Sequence, residues 1–217
     1  MVHGYLIDLD DTLIDDTWSM EVAAKWLAVK FAIPGCDTSE QVVARWTVLT
    51  QLNWCRFRNG ELSLREQRRK RVRGLLQREL NDGEADEVFA GYASEYQRNW
   101  RLVPGTTEFL RRTATLPRVI VSNGERSQVH RKLTALGIHH HFVAIVTPED
   151  AEVPKPNAKI FLHAAELLGL RPHQCLMIGD DYEADIRPAD SLGMSTFHVV
   201  RGTAGREILD AVPPCPE

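Results

Sequence analysis

The stretch Tyr5-Leu6-Ile7-Asp8-Leu9-Asp10-Asp11-Thr12-Leu13 sets a short apolar run directly against a cluster of carboxylates. A run of this length and composition reads as a buried strand from Tyr5 to Leu9 that empties into an acidic turn. Four further runs end as abruptly, at Arg118 to Ser122, Phe142 to Thr147, Cys175 to Gly179 and Ser195 to Val200. Helical patterns lie between the later ones: Ser127 to Leu136, Lys159 to Leu168 with Gly169 as its stop, and Ala184 to Leu192. Strand-helix alternation predicts an α/β fold with a Rossmann-like, doubly wound parallel sheet.

The interval from Asp8 to Ser122 is several times the ~30 residues of one βαβ unit, so an insertion is expected there. It reads as helical, with Trp18, Val22, Trp26 and Val29 on one face of the first helix. Two capping boxes stand within it, Thr38 with Gln41 and Ser63 with Glu66. Asn81-Asp82-Gly83 reads as a turn and Pro104-Gly105 as the return to the core. The expected organisation is a core of residues 1–14 and 101–217 and an inserted α-helical cap of residues 15–100. Pro213-Pro214-Cys215-Pro216 is expected to be irregular.

The chain has 217 residues and a formal net charge of −4, spread along its length, which argues against nucleic acid or an anionic membrane as a partner. Its four cysteines, Cys36, Cys55, Cys175 and Cys215, form no paired motif, and a reducing, cytoplasmic setting is expected. No apolar run reaches the ~18 residues of a membrane span. The expected state is a monomer or homodimer.

In open parallel sheets ligands bind beyond the carboxyl ends of the strands. The first strand delivers Asp8, Asp10 and Asp11 there, the second Ser122-Asn123-Gly124, and the fourth Gly179-Asp180-Asp181 with Asp185 following. Lys155-Pro156 follows the third. Carboxylates gathered on one sheet edge repel unless a cation sits among them, and an all-oxygen donor set points to magnesium.

These motifs, Asp8-Leu9-Asp10-Asp11-Thr12-Leu13, Val121-Ser122-Asn123-Gly124, Lys155-Pro156 with Ile160-Phe161, and Gly179-Asp180-Asp181 with Asp185, stand in the order of the haloacid dehalogenase superfamily, which the chain resembles. The resemblance implies a HAD-like core and a magnesium-dependent phosphatase acting on a small phosphorylated metabolite. It makes Asp8 the nucleophile and a metal ligand, and Asp10 the general acid and base with its carbonyl on the metal. Asp180 completes the protein's share of the metal shell, and Asp181 and Asp185 support it. Ser122, Asn123 and Gly124 hold phosphoryl oxygens, and Lys155 bridges nucleophile and phosphate. The sequence departs from the family pattern at Pro188, where a glycine is common, and at Asn157-Ala158, where Asp-Pro is usual.

Plainer readings stand beside these. An acidic turn can be a helix cap, acids after the fourth strand can answer a helix dipole, and His139-His140-His141 reads as surface. Most of the cap tryptophans read as packing. The basic helix with Arg65, Arg68, Arg69, Lys70, Arg71 and Arg73 is the candidate for choosing a leaving group, against a solvated face as its plainer role, with Val72, Leu75, Leu76 and Leu80 as its buried stripe. Phosphomutase, dehalogenase and a non-catalytic anion-binding module are the alternative functions.

Overall fold

The computed structural model describes residues 2–200 and 207–211; the Pro213–Pro216 run lies outside the described residues. The chain begins with β1 (Gly4–Ile7) and passes through four long helices, α1 (Asp16–Lys30), α2 (Ser39–Arg58), α3 (Leu64–Leu76) and α4 (Asp82–Arg98). It returns through α5 (Thr106–Arg112). It then runs through β2 (Arg118–Val121), α6 (Arg126–Ala135), β3 (Ala144–Val146), the short α7 (Pro148–Ala151), α8 (Ala158–Leu167), β4 (Cys175–Gly179), α9 (Arg187–Ser191) and β5 (Ser195–His198). The described residues fall into two compact units, one within Met1–Asp15 and Arg101–Glu217, the other Asp16–Trp100.

The first unit is the α/β core expected from the sequence. Its five strands lie in the order β3-β2-β1-β4-β5, and each neighbouring pair is parallel. Alternation along each strand feeds two separate apolar layers. Tyr5, Ile7, Ile120, Leu176 and Ile178 pack with Phe109 and Leu110 of α5 and Val129 and Leu133 of α6. Leu6, Val119, Val121, Cys175 and Met177 pack with Ile160, Phe161 and Ala164 of α8. Strands covered on both faces must be apolar at consecutive positions, which is why these runs carry no polar alternation.

One core helix differs from expectation. The segment read as a helix over Ala184 to Leu192 is a π-helical turn, Tyr182–Ile186, running into α9. Pro188 has no N–H to give the Ala184 carbonyl, so one regular α-helix cannot run through from Ala184, whereas proline is at home in the first turn of α9.

In the second unit both expected capping boxes are formed: Thr38 accepts from Gln41 N, and Ser63 from Glu66 N. Asn81 forms a third with Glu84, so Asn81-Asp82-Gly83 opens α4 rather than making a free turn. Such caps contribute about 1 kcal/mol each. The buried face of α1 is Ser19, Ala23, Ala24 and Leu27, not the expected Trp18–Val29 stripe; Trp18 and Val29 are exposed. Small residues let α1 lie close to its neighbours, and Trp26 lies across Gly91 of α4.

In the basic helix α3 three of the arginines are paired within the same unit. Arg65 and Arg69 pair with Asp86, and Arg69 and Arg73 with Asp82, stitching α3 to α4. The two arginines hold Asp86 well below the usual carboxylate range. Arg71 is buried, its guanidinium 4.4 Å from the ring centre of Trp46 and close to Phe89 and Tyr92. Val72, Leu75 and Leu76 are buried as expected, with Leu80 partly buried beyond the helix end.

At Gly91 two effects oppose each other. Alanine in a helix interior gains about 1 kcal/mol over glycine, but a Cβ here would stand 2.3 Å from the Trp26 ring. Overpacking of this kind costs about 1–3 kcal/mol. Gly91→Ala should therefore lower the urea midpoint of the wild-type protein and raise it in a Trp26→Ala background. A stabilising effect in both backgrounds would show that α1 and α4 are not in this contact.

Candidate active site

The strand order puts β1 between β2 and β4, so three carboxyl ends lie side by side at the point where the chain's winding reverses. Asp8 follows β1, Ser122 follows β2 and Asp180 follows β4. The register is fixed one residue before the chemistry: Ile7 faces Ile120 and Ile178, and Asp8 N donates to Ile178 O at 2.9 Å.

Lys155 lies at the centre of the site. Its Nζ is 2.5 Å from Asp8 Oδ1 and 2.6 Å from Asp185 Oδ1, and all three side chains are buried. Burial pulls the ammonium towards neutrality, but the charges of Asp8 and Asp185 outweigh it and leave its pKa above the ordinary value. Asp8 is pushed up to about 6 by burial against the opposing pull of Lys155, and Asp185 is raised for the same reason. Asp180 has no ammonium against it in this balance. Burial, then the charges of Asp8, Asp185 and Asp11, raise it to about 8.

Oxygens of Asp8, Asp180 and Asp185 all lie within 4.8 Å of one another. Three carboxylates around one ammonium form a donor set that fits a hard divalent cation, which would restore their charges by compensating them. Asp185 thus lies closer to the cluster than a supporting role requires. Its approach depends on Gly179, where a Cβ would stand 2.3 Å from Asp185 Oδ2. Thr12, which sequence reasoning left without a role, donates to Asp180 Oδ1 at 3.2 Å, and His198 Nε2 stands 2.8 Å from the Asp180 carbonyl.

The remaining predicted residues divide by what their side chains touch. Ser122 is buried, and its Oγ accepts from Gly124 N at 3.0 Å, a tight turn that leaves the hydroxyl proton to donate. The Asn123 side chain brackets the Lys155 backbone: its Nδ2 donates to Lys155 O at 3.1 Å and its Oδ1 accepts from Lys155 N at 2.7 Å. Asp181 is exposed and accepts from Glu183 N and Ala184 N, each at 2.9 Å, so its carboxylate caps the π turn. Its own N–H donates to Asp185 Oδ2 at 3.3 Å. Asn157, at one of the two departures, caps α8 through Lys159 N, so the substitution keeps the helix start. Asp10 does not join the three-carboxylate cluster by its side chain; its Oδ1 accepts from Lys132 Nζ at 2.5 Å. Lys132 was not singled out in the sequence, where a helix lysine reads as solvated. His139–His141 form a 3-10 turn that is not buried.

A sequence model of the haloacid dehalogenase-like hydrolases matches residues 2–193. The chain belongs to this family. Among curated relatives, glyceraldehyde 3-phosphate phosphatase of Methanopyrus kandleri is 43% identical over 82 residues, 38% of this chain and 35% of that protein. The chain thus spans about a third of the length of that relative. The fold is shared with the HAD-hydrolase YfnB of Bacillus subtilis, solved bound to magnesium, at TM-score 0.77 and 23% identity over 91% of this chain and 88% of that one. It is also shared with L-2-haloacid dehalogenase of Xanthobacter autotrophicus, at TM-score 0.73 and 21% identity over 94% and 80%. Among the described residues no helix is long and apolar enough to cross a membrane.

The raised acids give this family member's metal-free form a defined pH dependence. Folded Asp8 and Asp180 hold protons that carboxyls near their ordinary 3.8 release on unfolding. Stability from these groups is therefore full below that value, falls as the pH rises, and levels off above about 8. The melting temperature of chelated protein should fall from about pH 5 to about pH 8, with magnesium flattening the slope and Asp180→Asn reducing it. A chelated protein whose melting temperature rises over this window would contradict the cluster.

Proposed function

We propose that this chain is a magnesium-dependent phosphatase that hydrolyses a small phosphomonoester through a phosphoryl group carried on Asp8. The observation that carries the reading is Lys155 Nζ held between the buried carboxylates of Asp8 and Asp185, beside Asp180 and the Ser122 turn. A carboxylate attacks phosphorus only where the phosphate's charge is offset. Lys155 supplies one positive charge beside the nucleophile. A magnesium ion held by Asp8, Asp180 and the Asp10 carbonyl, with Asp185 beside them, would supply further charge neutralisation and orient the phosphate.

In the first step an Asp8 oxygen forms a bond to phosphorus as the ester P–O bond breaks, and its electron pair leaves with the alkoxide. Asp10 gives that oxygen its proton. In the second step Asp10 takes a proton from water, the water oxygen bonds to phosphorus, and the bond to Asp8 breaks to regenerate the carboxylate. Ser122 Oγ–H and the backbone N–H groups of its turn hold phosphoryl oxygens. Lys155 neither gives nor takes a proton in this scheme.

The relatives include a phosphatase by name, and the shared fold also serves a dehalogenase. Asp10 favours phosphoryl chemistry, since expelling a halide needs no proton donor whereas expelling an alkoxide does. We infer a small phosphorylated metabolite as the substrate class, and the absence of any paired cysteine motif supports a cytoplasmic setting.

Asp8→Asn should lower turnover of an aryl phosphate by about a thousandfold or more while the protein keeps a cooperative thermal transition, lowered because Lys155 loses one of its two counter-charges. Chelation should abolish wild-type activity and magnesium should restore it, with calcium a poor substitute because its looser shell misaligns the in-line attack. Wild-type inactivity across a broad panel of phosphate esters, or activity that survives chelation, would overturn the proposal.

A further inference from the structure

We propose that Lys132 is a positioning residue for Asp10, fixing which carboxyl oxygen carries the transferred proton. The inference rests on the phosphatase reading and concerns its proton-transfer step.

Lys132 occupies a core position of α6. The buried residues of that helix are Val129, Lys132 and Leu133, and Lys132 is only 2% exposed. An ammonium in such a place is strongly disfavoured unless a counter-charge meets it. Its Nζ stands 2.5 Å from Asp10 Oδ1, a residue more than a hundred positions earlier in the chain. A lysine that α6 needed only for packing would be better served by leucine or methionine; its charge is directed at Asp10.

The other side of the Asp10 carboxyl faces the phosphoryl-holding turn. A Cβ built on Gly124 would lie 4.0 Å from Asp10 Oδ2 and 3.2 Å from Ser122 Oγ. The carboxyl is therefore set between α6 and the Ser122–Gly124 turn, with Oδ1 towards the lysine and Oδ2 towards the turn. An ammonium is a donor only, so Oδ1 accepts from it. When Asp10 carries its proton, that proton sits on Oδ2. In the first step the Oδ2–H bond breaks as an O–H bond forms on the departing alkoxide; in the second, Oδ2 takes a proton from water. Lys132 keeps its own protons throughout. The site then uses two buried lysines for two carboxylates, Lys155 for the nucleophile and Lys132 for the acid and base.

The test compares leaving groups. Wild-type protein, Lys132→Met and Lys132→Arg, loaded with magnesium and in excess over substrate, are mixed with an alkyl phosphate and with dinitrophenyl phosphate, and release of the alcohol or phenol is followed in a single turnover. Dinitrophenolate departs without a proton, whereas an alkoxide does not. Lys132→Met should slow alkyl ester cleavage about 100-fold and the aryl ester less than about fivefold, with KM for both within about threefold. Lys132→Arg, which keeps a donor, should restore the alkyl rate to within about tenfold. In an Asp10→Asn background Lys132→Met should add less than about a further twofold, because it acts through Asp10. Equal slowing of both esters, a change confined to KM, or full additivity with Asp10→Asn would overturn the inference and leave the phosphatase reading standing. A wild-type protein that cleaves neither ester would overturn both. Where Lys132→Met has no thermal transition, Lys132→Arg carries the comparison: slowing confined to the alkyl ester supports the inference, and equal slowing, or none, overturns it.

Discussion

The buried contact of Lys155 with Asp8 and Asp185 is the interaction on which the rest of the site depends. Removing one partner of such a group leaves an uncompensated charge in the interior, a loss of about 3–5 kcal/mol. The contact also fixes the electrostatic problem that the site presents. Of the three carboxylates only Asp8 and Asp185 meet Lys155, and Asp180, left without it, has its pKa raised to about 8. On the proposed reading, repulsion among these acids is what a cation would relieve.

The core fold serves that contact at several removes. Parallel pairing of β1 with β2 and β4 brings residues from widely separated parts of the chain to one edge. Asn123 clamps the backbone of Lys155, so the lysine's position is set from the strand next to that of Asp8. Gly179 leaves room for Asp185, and the Asp181 N–H then holds it. Each support acts on the backbone or side chain of a group in the cluster. This is how a carboxylate can be placed near an anionic substrate with little freedom to turn away.

Much of this was legible in the sequence because it depends on local rules. Short apolar runs that end abruptly located all five strands to within a residue or two, and S/T-x-x-E/Q patterns located helix starts at Thr38 and Ser63. The residues that fall outside those rules were read less well. Lys132 looks like any helix lysine until α6 is packed on the sheet, since only the tertiary fold sets its ammonium against Asp10. The hold of the Asn123 side chain on the Lys155 backbone was likewise out of reach, since no spacing reveals it. The face of α1 was misread because tryptophan and valine outweigh alanine in any hydrophobic pattern, whereas close helix packing selects the small residues. The arginines of α3 were read by composition alone, and their carboxylate partners lie on another helix, α4.

The central claim is that Asp8 itself becomes covalently linked to phosphorus during turnover. Acid quenching of the magnesium-loaded protein in the first turnover, followed by mass spectrometry of its peptides, tests this directly. The account predicts one added phosphoryl group on the peptide containing Asp8, absent from Asp8→Asn, together with heavy oxygen from labelled water appearing in the released phosphate and not in the Asp8 carboxyl. A phosphoryl group on another residue, or heavy oxygen incorporated into Asp8, would contradict it.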